Sequence, residues 1–133
     1  MTKPEIRMND ETRMANQAVA ARECDLEERT ARFGEGVIAF AKCVPLNEVT
    51  RPLIGQLVRA AASIGANYVE ADDSDSKKDF RFKIGLCRRE AKETKHWLRM
   101  IVAAEPALKE SARPLWQEAK ELNLIFGAIR RKN

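Results

Sequence analysis

A chain of 133 residues has material for one core and is too short for two comfortable domains. A third of its residues are charged, Gly and Pro are scarce, and Ala, Leu, Arg, Lys and Glu recur throughout, which favours helix and leaves no alternating segment to nominate a sheet. Its 24 basic and 20 acidic residues nearly cancel, no apolar run approaches a membrane span, and Cys24, Cys43 and Cys87 are odd in number, with no spacing of a zinc knuckle or redox pair. The start, MTKPEIRMNDETRM, lacks the apolar stretch of a secretory signal, so cytoplasmic residence and idle thiols are expected.

Residues 1–24 are polar and mixed in sign, with Met8, Met14 and Val19 too scattered to define a face, and read as a polar N-terminal extension. The domain is expected over 25–133. From Leu26 onward Phe33, Val37, Phe40 and Val44 mark the seam of an amphipathic helix that Pro45 closes. Thr50 is placed to cap a second helix, with Pro52 in its first turn and a seam of Ile54, Leu57, Ala61, Ile64 and Tyr68. Gly65 and the alanines around it would let a neighbouring backbone come close. After the acidic turn DDSDS, with Ser74 or Asp75 as cap, the third helix carries Phe80, Ile84, Cys87, Ala91, Thr94, Leu98 and Ile101 and ends before Pro106. The fourth repeats the rhythm in Leu108, Ala112, Leu115, Ala119, Leu122, Phe126 and Ile129, and Pro114 puts its regular start near Ser111. Four such helices with short connectors make an all-α, antiparallel up-down-up-down four-helix bundle.

Two stretches carry more than periodicity. LIGQLVRAAASIGANYVEA sets Gln56, Arg59, Ser63, Asn67 and Glu70 along a helix, and LCRREAKETKHWL adds Arg88, Lys92 and Glu93. Their polar spacing resembles the signature of the bacterial four-helix bundle family first met as open reading frames in intervening sequences of 23S ribosomal RNA genes. Ala71 stands where that family usually has Gly, and Arg89-Glu90 where it usually has Gly-Ser. The resemblance covers roughly Asp25 to Arg131 and implies a non-enzymatic bundle assembled as a cyclic homopentamer. It extends distantly to accessory proteins of diversity-generating retroelements, which bind a reverse transcriptase and nucleic acid. From the residues themselves, Gln56, Ser63, Asn67 and Glu70 read as a polar ridge along one side of the second helix that hydrogen-bonds a neighbouring helix and fixes its register, with Arg59, Arg88 or Arg89 as partners for Glu70 and Glu93.

The third helix has nine basic and three acidic residues between Lys77 and Arg99, a local excess larger than the net charge of the whole chain. Lys78, Arg81, Arg88, Lys92, Lys95 and Arg99 fall at spacings of three and four, with Gly85 in the one gap, and form a basic stripe beside the seam. Such a stripe suits a phosphate backbone; it also suits a solvated face held by salt bridges to the first or fourth helix. Arg130, Arg131 and Lys132 would add to it. With few aromatics interleaved, backbone contact is expected over base stacking. On the opposite flank Leu86, Trp97 and Met100 lie off the seam, to be covered by a subunit contact or by the first helix and its extension.

Glu93 and His96 have the Glu-x-x-His spacing of di-metal bundles, yet one histidine cannot complete such a site, and no cofactor or metal is expected. No nucleophile with a neighbouring histidine and no glycine-rich phosphate loop is found. The reading is an oligomeric bundle that offers a basic surface to RNA, DNA or a nucleic-acid-processing partner, with a protein-interaction scaffold as the alternative.

Overall fold

Apolar residues at helical spacing close into one cluster drawn from four helices. The computed structural model describes residues 25–132, and the polar extension assigned to 1–24 lies outside them, as does Cys24. The helices are α1 (Leu26–Lys42), α2 (Thr50–Asp72), α3 (Lys77–Ala104) and α4 (Lys109–Lys132), with a 3₁₀ turn at Pro106–Leu108; the described residues hold no strand. Each helix packs on its neighbours in the chain, and α1 meets α4 more thinly, which closes the up-down-up-down bundle.

Leu26, Val37, Leu57, Ile64, Ile84, Leu98, Ile101, Leu122 and Phe126 are fully enclosed, and Phe126 stands tilted against Tyr68 with ring centroids 6.0 Å apart. The predicted seams hold with instructive exceptions at the edges. Phe80 and Ile54 are half-buried because each lies within the first turns of its helix, where the end of the bundle is open. Leu115 is half-buried as well, at the sparse contact between α1 and α4. On α1 and α2 the small residues do what their size allows. A Cβ at Gly65 would come within 3.2 Å of the Thr30 hydroxyl, so this crossing is set by the missing side chain.

The caps differ from those expected. Asn47, not Thr50, caps α2: its Oδ1 accepts the amide hydrogens of Val49 and Thr50, both at 2.9 Å. Thr50 is buried, and its hydroxyl donates to the Pro45 carbonyl at 2.6 Å, tying the connector to the helix start. Ser76 caps α3 by accepting from the amide of Asp79 at 3.1 Å, in place of Ser74 or Asp75. Helix α4 begins at Lys109, two residues ahead of expectation, since the 3₁₀ turn runs straight into it. Pro114 is then tolerated inside the early turns, where its ring already has helical φ and only one amide donor is lost.

Candidate nucleic-acid interface

Helix α3 has two polar sides, and they are built differently. Toward α2, the Arg59 guanidinium is held by Glu93 and lies 3.5 Å from Glu90, while Gln56 accepts a long bond from Arg59 at 3.4 Å. The same Glu93 carboxylate accepts the indole hydrogen of Trp97 at 3.1 Å. One helical turn from the α2 C-terminus, Glu70 accepts from Lys83 at 2.6 Å, and that bond holds the ammonium above its ordinary pKa. Glu70 of the expected ridge does bridge helices, to Lys83, a partner the sequence reading omitted, and of the arginines offered to Glu93 it is Arg59 that pairs with it. Ser63 and Asn67 do not bridge: they bond back to the carbonyls of Arg59 and Ser63 on their own helix, at 2.7 and 2.9 Å.

Toward α4 the pattern is reversed. Lys78, Arg81, Lys92 and Arg99 are exposed, Arg88 and Lys95 are half-buried, and none of the six is in an ion pair among the described residues. Salt bridges to α1 or α4 therefore do not account for the stripe. What lies beside it is a second row, on α4: Lys109, Arg113, Trp116, Lys120, Asn123, Gly127 and Arg130, again at spacings of four and three. The two rows run antiparallel and touch along their length. Arg130 shares a shallow basin with Lys77, Lys78, Arg81 and the exposed Phe82. Arg130 also fills the gap in the stripe, its Nε being 3.1 Å from where a Cβ on Gly85 would stand. Reciprocally, the Arg88 stem lies 3.5 Å from the Cβ position of Gly127, and the Arg131 guanidinium 3.4 Å from the same point. Asn123 donates to the Arg88 carbonyl at 2.8 Å, and Lys95 stands 4.9 Å from the centre of the Trp116 ring.

Of the fourteen positions in these two rows, ten are Lys or Arg and none is acidic. Four carboxylates of the two helices face elsewhere: Glu90 and Glu93 to Arg59, and Glu118 and Glu121 to Arg29 of α1, at 2.7 and 3.1 Å. Those two acids hold Arg29 firmly protonated, the Glu118 hydrogen bonds contributing most. Among the described residues the rows hold one ion pair, Arg113 with Glu110 one turn back on α4, at 2.9 Å. Buried in the face is the Arg88 Nε, which has no hydrogen-bond partner among the described residues. Apart from Arg130, the α4 row escaped the sequence reading, which followed the apolar seam of that helix. Its signal was present in the spacing from Lys109 to Arg130.

The remaining candidates fall as follows. Leu86, Trp97 and Met100 are each half-buried on the flank away from α4, with Trp97 packed partly on the core. His96 is exposed, edge-on to Trp97 at 4.9 Å between centroids. Among the described residues no group of three or more His, Cys, Asp or Glu side chains gathers to hold a metal. Cys87 is enclosed between α2 and α3, and burial pushes its thiol up to about 12. No helix among the described residues is long and apolar enough to cross a membrane.

No curated protein matches the chain. Among solved structures it is similar to a protein described as of unknown function, from the S23 ribosomal protein family of Bacteroides thetaiotaomicron. The two share 23% identity over 83% of this chain and 98% of that one, with a TM-score of 0.71, a likeness of fold. The family model of the 23S rRNA-intervening sequence protein matches residues 22–127. With most of its length so matched and all four helices in place, the chain belongs to the 23S rRNA-intervening sequence protein family.

Proposed function

We propose that this protein is a non-enzymatic nucleic-acid-binding bundle, and that the joint face of α3 and α4 is its contact surface. The observation that carries this reading is the pair of rows with ten cations and no carboxylate in fourteen positions. From Lys78 to Arg99 the face extends roughly 30 Å, at 1.5 Å of rise per residue. Like charges gathered on both sides of the Gly85 and Gly127 notches repel one another. A polyanion relieves that repulsion and releases its own condensed counterions. Contacts of this kind read the backbone, so binding is weakly sequence-selective.

Assembly into a ring, which the resemblance implies, would place several such faces on one connected surface and multiply their effect. Met100 and Leu86 are the positions at which to test it, since Trp97 also carries core packing and a bond to Glu93. Met100→Glu should reduce the assembled mass in light scattering while leaving the helical content intact. For binding itself, wild-type protein titrated against RNA and DNA at rising salt should show affinity falling linearly on a log–log plot. No binding at low salt would favour the scaffold reading, in which the face meets an acidic protein.

A further inference from the structure

We propose that the groove between α3 and α4 seats an unpaired base of a single-stranded nucleic acid against the indole of Trp116, a reading that rests on the basic face binding phosphates. Trp116 is the aromatic member of the α4 row and is 36% exposed, a large apolar ring left at the surface among cations. Lys95 of α3 and Lys120 of α4 place their ammonium groups 4.9 and 5.7 Å from its centroid. Beside the ring opens a groove of about 230 Å³ with Val102 and Ala112 among its apolar walls and Arg99, Lys109 and Arg113 around it. That volume is below the roughly 300 Å³ at which pockets for whole drug-sized ligands begin, and it suits one planar ring system.

The chemistry is that of a stacking platform inside an electrostatic track: a π-face for the base, and cations on several sides for the phosphates that flank it. Arg113 is the least available of these cations, being bonded to Glu110 at 2.9 Å. Lys120 is exposed and Lys95 only half-buried, so neither ammonium is fully desolvated against the aromatic face, and a base gains more from that face than the ammonium gives up. A displaced Lys95 or Lys120 remains on its helix within reach of the adjoining phosphate. Duplex bases turn their faces to one another, so only a single strand can use the indole. The groove therefore adds strand-type preference to a face that otherwise reads charge alone.

The test uses a fluorescein-labelled oligothymidylate and a duplex of equal length as probes. Trp116→Ala should weaken binding of the single strand about tenfold, within the range of one lost base stack, and leave duplex binding unchanged. Trp116→Phe should recover most of that loss. The chain has two tryptophans, so Trp97→Phe makes Trp116 the sole indole, and its emission should be quenched by the single strand and not by the duplex. Equal single-strand affinity for wild type and Trp116→Ala, or absence of quenching while both probes bind, overturns the stacking site and leaves the phosphate-binding face standing. If the wild type binds neither probe at low salt, the face and the groove fall together. Binding of an acidic peptide in place of either probe overturns both as well.

Discussion

The two sides of α3 share a helix and a core but spend their charges in opposite ways. Toward α2, Arg59 meets two carboxylates and Lys83 meets Glu70, so charge is consumed in holding helices together. Toward α4, six cations and the four of the facing row meet one carboxylate between them among the described residues, at Arg113. Beyond the packing of Arg88, Arg130 and Lys95, the second arrangement brings the folded chain almost no compensation of charge. Charge that does not stabilise its own fold is available to something outside it.

The comparison can be broken first at what both sides depend on. Phe126→Ala removes the largest fully buried side chain and should cost about 3 to 5 kcal/mol in denaturant unfolding. A loss below about 1 kcal/mol would deny the shared core. The dry interior between α2 and α3 can be probed at Cys87. Its thiol, raised from an ordinary 9.0 to about 12, offers about a thousandfold less thiolate at neutral pH, so it should resist alkylation while the exposed Cys43 reacts readily. Because the folded form keeps its proton longer than the unfolded one, Cys87 stabilises fully below pH 9, and that contribution is lost as pH rises toward 12. Equal labelling rates for Cys43 and Cys87 would show the interface to be open.

Smaller effects separate the ion pairs. Arg29→Met leaves Glu118 and Glu121 without their cation at a partly buried joint and should cost about 1.5 to 3 kcal/mol. Arg59 is half exposed, so Arg59→Gln should cost about 1 kcal/mol or less, and less again in high salt. An Arg59 variant more damaging than the Arg29 variant would reverse the ranking of these two joints.

Much of this was legible in the sequence, and the gaps have physical causes. Seam residues such as Leu57, Ile84 and Leu122 were readable because burial enforces the helical period. Caps were not, because DDSDS offers several side chains able to accept from a first-turn amide, and only the path of the backbone selects Ser76. Ser63 and Asn67 were read as crossing to a neighbour, yet a helix offers each a carbonyl four residues back, which satisfies them locally. The stripe was visible as a row on one helix. That Arg130 would complete it at Gly85, and that Trp116 would stand beside Lys95, required knowing which edge of α4 meets it.

The most direct test of the division between the two sides is a triple substitution confined to exposed cations of the stripe, Lys78→Gln, Arg81→Gln and Lys92→Gln, read for stability and binding together. Arg88 and Lys95 are spared because one packs on Gly127 and the other on Trp116. The expected result is an unfolding free energy within about 0.5 kcal/mol of wild type, with affinity for RNA or DNA reduced and the slope of log affinity against log salt shallower by about 2 to 3. A folded triple variant with wild-type affinity and slope, or one that loses stability as the Arg29 variant does, would contradict the assignment of this face to binding.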